Sequence, residues 1–118
     1  MPDPKPYERF EAWKQTHALA LAVYAATREW PRAEQYGLTA QGRRAALSAP
    51  TNIAEGSAKR GKAEFRRFLD ISLGSLSEVG YLLRFARDAG MLETQIWEGL
   101  QVQRDAAARL TWLLWPAR

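Results

Sequence analysis

Residues 48–80 read SAPTNIAEGSAKRGKAEFRRFLDISLGSLSEVG. The string joins two helices through a basic turn. Its first part closes a helix at about Glu55, with Gly56 just past the end as a glycine cap. Its second part opens a new helix at about Lys62. Pro50 falls inside the earlier helix, where it removes an amide donor and crowds the carbonyl of Ala46. A kink near residues 46–50 is expected.

The later helix runs from about Lys62 to Asp88 and is ended by Gly90. Phe65, Phe68, Leu69, Leu76, Val79, Leu82, Leu83 and Ala86 lie on its apolar arc, which also takes in Ile71 and Leu73. At 100° per residue that arc covers roughly 200°. Tyr81 and Phe85 fall outside even this width. Arg66, Asp70, Ser77, Arg84 and Asp88 form the narrow solvated strip, with Arg66–Asp70 and Arg84–Asp88 as pairs four residues apart.

Outward from this core string, the same spacing continues. The second helix starts at Thr39, a candidate N-cap, and runs over about 39–55. Before it, Phe10, Trp13, His17, Leu21 and Tyr24 mark one face of a helix over about 8–29, stopped by Pro31. After it, a fourth helix over about 94–115 starts at Thr94 and ends at Pro116. Ile96, Leu100, Gln103, Ala107, Leu110 and Leu114 make its inner stripe. No run of alternating β-branched residues suggests a strand. The fold class is all-α: an up-down-up-down antiparallel four-helix bundle with a kinked second helix, in one domain over 1–118.

Composition narrows the chemistry. With 118 residues and 47% hydrophobic types, the chain can build one core without covalent staples. There is no cysteine, which excludes disulfides, thiolate metal sites and a thiol nucleophile. His17 is the one histidine, so no metal site or cofactor is expected. The opening MPDPKP lacks the layout of a signal peptide, and no apolar run approaches a membrane span. A cytoplasmic protein with no membrane partner is expected. Its net charge of +4 permits a nucleic-acid partner without requiring one.

The apolar width of the third helix exceeds what one bundle core hides. With Trp112 and Trp115 near the end of the chain, the surplus calls for another partner, most simply a second copy of the same chain, the alternative being a thicker core within one protomer.

Three local features carry the functional reading. Residues 56–62, GSAKRGK, imitate a phosphate loop, but Ala63 stands where a magnesium-binding hydroxyl belongs and a helix precedes it. A basic turn is the simpler reading. Lys59, Arg60, Lys62, Arg66 and Arg67 oppose only Glu64 between residues 59 and 67, and Arg43 and Arg44 precede them. If the turn is tight, part of this set makes one basic end for phosphates. Gln41, Arg44, Ser48, Asn52 and Glu55 form a polar stripe on the second helix, facing Ser75 and Glu78 on the third. A buried hydrogen-bond network is expected there, with Arg44 paired to Glu55 or Glu78. Glu55 and Glu78 as a catalytic carboxylate pair is the weaker reading, since no nucleophile or second histidine supports it. Gly74 inside the third helix suggests close approach of another helix, as do Gly42 and Gly80. His17 reads as a core or interface residue with a hydrogen-bond partner.

Several of these residues occur together in one pattern. It comprises Trp13-x-x-x-His17, Tyr24, Pro31, Tyr36-Gly37-Leu38-Thr39-x-Gln41, Arg43-Arg44-Ala45, residues 48–56, Phe68-Leu69 and Gly74-Ser75-Leu76-x-Glu78. Over about residues 7–92 the chain resembles the four-helix-bundle family encoded in intervening sequences of bacterial large-subunit ribosomal RNA genes. It is more distantly similar to the accessory variability determinant of diversity-generating retroelements, which binds nucleic acid through a basic surface and partners a reverse transcriptase. The resemblance implies a four-helix protomer and a closed ring of five. It implies no reaction. Arg43, Arg44, Ser48, Pro50, Asn52, Glu55, Gly56, Gly74, Ser75 and Glu78 match, as bundle-defining and interface-forming positions. Gly42 departs from the larger residue usual there.

The expectation is therefore a non-enzymatic, homopentameric adaptor touching RNA or DNA through the basic cluster. The alternative is a structural or protein-interaction ring whose basic turns only solubilise it.

Overall fold

Pro4 and Pro6 hold the start of the chain out of α-helix, and a single 3-10 turn follows at Pro6–Arg9. The computed structural model describes residues 2–117. Four helices carry them: α1 (Glu11–Thr27), α2 (Leu38–Ser57), α3 (Lys62–Asp88) and α4 (Thr94–Ala117). A second 3-10 turn, Arg32–Glu34, lies between α1 and α2.

Each helix packs on its neighbours in sequence, and α1 closes the bundle against α4. Side-chain bonds fix the directions. Gln41 meets Glu78, Ser48 meets Ser75 and Ala49 meets Ser72, so α2 and α3 run antiparallel. Gln101 meets Gly80 and Arg104 meets Leu76, so α3 and α4 do too. This is the expected four-helix bundle.

α1 is shorter than the expected 8–29. Phe10 is extended (φ −82°, ψ 124°) and separates the 3-10 turn from the helix. Thr27 ends it: its hydroxyl bonds back to the Val23 carbonyl at 2.9 Å, and its own carbonyl accepts from Trp30. The inward face also differs from the expected one. Ala12, Thr16, Leu19, Ala20, Val23 and Thr27 face the core. Leu21, 60% exposed, Tyr24 and His17 lie outside it. Small residues let α1 approach its neighbours closely, which leaves the bulkier stripe outside.

α2 begins one residue before the expected N-cap. Gly37 occupies the cap position, and the Glu34 carboxylate accepts from the Leu38 amide at 3.2 Å. Thr39 is instead buried inside the helix. Gly56 is not past the end but within the last turn, buried against Phe65 and Phe68. Pro50 lies inside α2, also buried. Beside it the wholly buried Ser72 hydroxyl donates to the Ala49 carbonyl at 2.9 Å.

α3 has the expected bounds. Gly90, at φ +80°, closes it: its amide bonds the Arg87 carbonyl and the Met91 amide bonds Ala86, both carbonyls left over by the helix. The Arg84–Asp88 pair forms at 3.1 Å. The Arg66–Asp70 pair does not; the Arg66 guanidinium sits over the Trp115 ring instead, 5.8 Å from its centroid. In α4 the expected stripe holds at Leu100 and Ala107, but Ile96 is half exposed and Thr111 takes a core place. The α4 backbone runs on through Pro116, the expected stop, to Ala117. A proline in a last turn removes only one donor and has little helix beyond it to bend.

The core divides into two clusters. The larger gathers Leu19, Val23, Trp30, Ala46, Leu76 and Leu83 around the α1–α2 and α3–α4 connections. The smaller is Ala12, Ile53, Phe65 and Leu69, flanked by Phe10, Trp13, Leu110 and Leu114. It lies under the α2–α3 turn.

Candidate nucleic-acid interface

The α2–α3 turn is built on the end of α2 and on Gly61. The amides of Ala58 and Lys59 still bond the carbonyls of Glu55 and Gly56 as the helix finishes. Gly61 then takes φ +81°, a conformation side chains disfavour, and turns the chain into α3. The turn is tight, and Lys59, Arg60, Lys62, Arg66 and Arg67 are all exposed on it or on the first two turns of α3.

Local contacts hold several of them. Lys59 Nζ lies 5.6 Å from the Phe68 ring centroid and the Arg67 guanidinium 4.7 Å from it. Arg67 Nε also donates to Glu64 at 3.2 Å. No carboxylate lies within 4.0 Å of Lys59, Arg60, Lys62 or Arg66 among the described residues. Beside the cluster, Arg66, Asp70, Thr111, Trp112 and Trp115 border a recess of about 130 Å³ between α3 and α4. The nearness of these two tryptophans to the basic turn was missed in the sequence. The Gly80–Gln101 contact sets the register that brings Arg66 opposite Trp115, and that register is not written in either helix's own residues.

Arg43 does not join this cluster. It stands sixteen residues before Lys59, about 24 Å along the helix axis. Its Nε donates to Thr27 Oγ1 at 2.8 Å, its Nη2 reaches the Tyr24 carbonyl at 3.4 Å, and its guanidinium covers the Tyr24 ring.

The polar stripe meets the third helix as expected, but in an open groove rather than a buried network. Ser75 Oγ donates to Ser48 Oγ at 2.8 Å, and Asn52 Nδ2 donates to the Ser48 carbonyl at 2.8 Å and its hydroxyl at 3.0 Å. Gln41 Nε2 donates to Glu78 at 3.3 Å on the exposed side. Arg44 is exposed and borders the same groove as Glu78 without an ion pair. Glu55 is exposed eleven residues further along α2, about 16 Å from Arg44. The expected Arg44–Glu55 pair is out of reach, and Glu55 and Glu78 do not form a carboxylate pair.

Gly80 is a close approach: an added Cβ would stand 3.0 Å from Arg104 Cδ. Gly74 is not, since nothing lies within 4 Å of such an atom; nor does Gly42 meet a neighbour there. His17 is exposed and stacks on Trp13, ring centroids 4.9 Å apart, rather than bonding in the core. Among the described residues no group of three His, Cys, Asp or Glu side chains is placed to hold a metal, and no helix is long and apolar enough to cross a membrane.

The family model for the 23S rRNA-intervening sequence protein matches residues 8–111. The chain belongs to this family. The match reaches beyond the recognisable motifs into most of α4. As a 23S rRNA-intervening sequence family member it carries the exposed basic turn and the open α2–α3 groove described above. No curated protein matches the chain.

Proposed function

We propose that this protein is a non-enzymatic, homo-oligomeric adaptor that holds RNA or DNA by its phosphates through the α2–α3 turn. The observation that carries the reading is the exposed set Lys59, Arg60, Lys62, Arg66 and Arg67 against the single Glu64. Such a set neutralises phosphates without reading base edges, so the binding is independent of sequence.

Assembly is argued from exposed apolar side chains. Leu21, Tyr81, Phe85, Val102, Trp112 and Leu113 are each about half exposed or more, and Trp112 is 70% exposed. Oligomerisation is the simplest way to cover them. The proposed assembly is a closed ring of five, the number the family resemblance implies. A ring repeats the basic turn, so weak contacts add as avidity.

One observation favours a second reading, a structural or protein-interaction ring without nucleic-acid affinity. Lys59 and Arg67 already rest on the Phe68 ring, and Arg67 is paired with Glu64.

Binding to single- and double-stranded RNA and DNA across a salt series separates the two. The adaptor predicts log K falling against log salt with a slope of roughly −4 to −5 on duplex DNA, if all five cations contact phosphates. A variant with the five changed to Gln should flatten it. Equal or absent binding in both proteins at low salt leaves the interaction ring.

A further inference from the structure

At the opposite end of α2 from the basic turn, the chain leaves α1, makes the Arg32–Glu34 turn and enters α2. This corner holds a solvent-open recess of about 380 Å³. Arg28, Arg32 and Arg43 border it together with Thr27, Gln35 and Thr39, and no carboxylate does. Three guanidiniums thus face one small space, and among the described residues none of them lies within 4.0 Å of an acidic group. The carboxylate of Glu34 is nearby in sequence, but it accepts from the Leu38 amide and is outside the lining.

Two further features distinguish this corner from a chance gathering of surface charge. The first is that Arg43 is held in place. Its bonds to Thr27 Oγ1 and the Tyr24 carbonyl, and its seat on the Tyr24 ring, use Nε and Nη2 and leave Nη1 without an intramolecular bond. A guanidinium fixed in this way loses little freedom when it binds a ligand. The second is unspent polar capacity in the wall. Thr39 is only 8% exposed, yet its hydroxyl bonds no described residue. Trp30 also lines the recess, though its indole N–H is turned away from solvent. The Thr39 hydroxyl is therefore the neutral donor this wall leaves for a ligand's oxygen. The start of α2 adds its partial positive charge.

We infer that the α1–α2 corner is a binding site for a phosphate group. Guanidinium forks suit pairs of phosphate oxygens, and the Thr39 hydroxyl supplies a neutral hydrogen bond beside them. A monovalent halide has neither the charge nor the several acceptors that this set offers. The site stands apart from the basic turn by most of the length of α2, and does not depend on the adaptor reading.

The test is calorimetric titration and thermal melting of the full chain with sodium phosphate, against sodium chloride at matched ionic strength. Phosphate should bind saturably and raise the melting temperature, while chloride does neither. The double variant Arg28→Gln/Arg32→Gln should lose at least tenfold in phosphate affinity while keeping its phosphate-free melting temperature, because both side chains are exposed. Thr39→Val should weaken binding severalfold with the fold intact. Lys59→Gln/Arg60→Gln should bind phosphate as the parent does. A terminally phosphorylated oligonucleotide that competes for the site, where its unphosphorylated twin does not, would name a chain end as the source; competition by neither would name free phosphate. Equal responses to phosphate and chloride, undiminished affinity in the Arg28/Arg32 variant, or loss in the Lys59/Arg60 variant would each overturn the assignment.

Discussion

Gly56 and Phe68 meet where α2 and α3 leave their shared turn, so closely that a Cβ on Gly56 would stand 2.8 Å from Phe68 Cβ and 3.1 Å from Phe65 Cδ1. The obstructing Phe68 atom is fixed to the backbone and cannot swing away. Gly56→Ala must therefore push α3 off α2. Helix propensity returns about 1 kcal/mol to alanine, while overpacking costs about 1–3 kcal/mol. Urea denaturation should show a net loss of up to about 2 kcal/mol.

Gly74 gives the opposite sign. It lies in the middle of α3 with no atom within 4 Å of an added Cβ. Gly74→Ala should stabilise the protomer by about 0.5–1 kcal/mol, through propensity alone. An unchanged or lowered denaturation midpoint would mean that this face is covered by a second copy.

Ser72 anchors the two helices that shape the basic turn. Ser72→Ala removes the donor to the Ala49 carbonyl in a fully buried place. A loss of about 1 kcal/mol is expected, with the helical content unchanged by circular dichroism.

The assembly should respond to charge on its exposed apolar faces. Leu21→Glu and Trp112→Glu alter side chains that are 60% and 70% exposed. Each should leave the protomer folded and lower the molar mass from light scattering toward a single chain. A stable single-chain mass for the parent protein at micromolar concentration would refute the ring.

Asp88 carries a pH signature. The hydrogen bond from Arg87 holds its carboxyl below the ordinary carboxylate value; desolvation opposes it, and the Arg84 hydrogen bond and the charges of both arginines add to the lowering. A depressed carboxylate stabilises the fold above its unfolded value, and that contribution fades as pH falls through the folded one. The group is exposed, so the effect is small. Carbon-detected titration should place Asp88 below a typical aspartate, and Arg87→Gln should bring it back up.

Much of this architecture could be read in the residues. Lys62 and Gly90 bracket α3 because a left-handed glycine is a strong stop and a 27-residue apolar pattern tolerates no other phase. The inward face of α1 could not be read the same way. Its core positions are Ala12, Thr16, Ala20 and Thr27 around Leu19 and Val23, whereas Leu21 and Tyr24 lie outside and Trp13 only flanks the smaller cluster. Size signals burial only when a neighbour leaves room for it, and α1 packs closely. The basic turn was visible as a charge run in one stretch of chain. The Arg28, Arg32 and Arg43 corner was not, because two chain segments must fold together before those charges share a space.

The division of the core has a consequence for how the molecule breathes. The basic turn rests on the smaller cluster of Ala12, Ile53, Phe65 and Leu69, while the larger one holds the opposite end. Cooperative units of unequal burial open at unequal free energies. Amide hydrogens around Ile53 and Phe65 should exchange through a sub-global opening that spares Leu76 and Leu83. The cationic end would then be the softer foldon, able to reshape itself around a partner while the rest of the bundle stays closed.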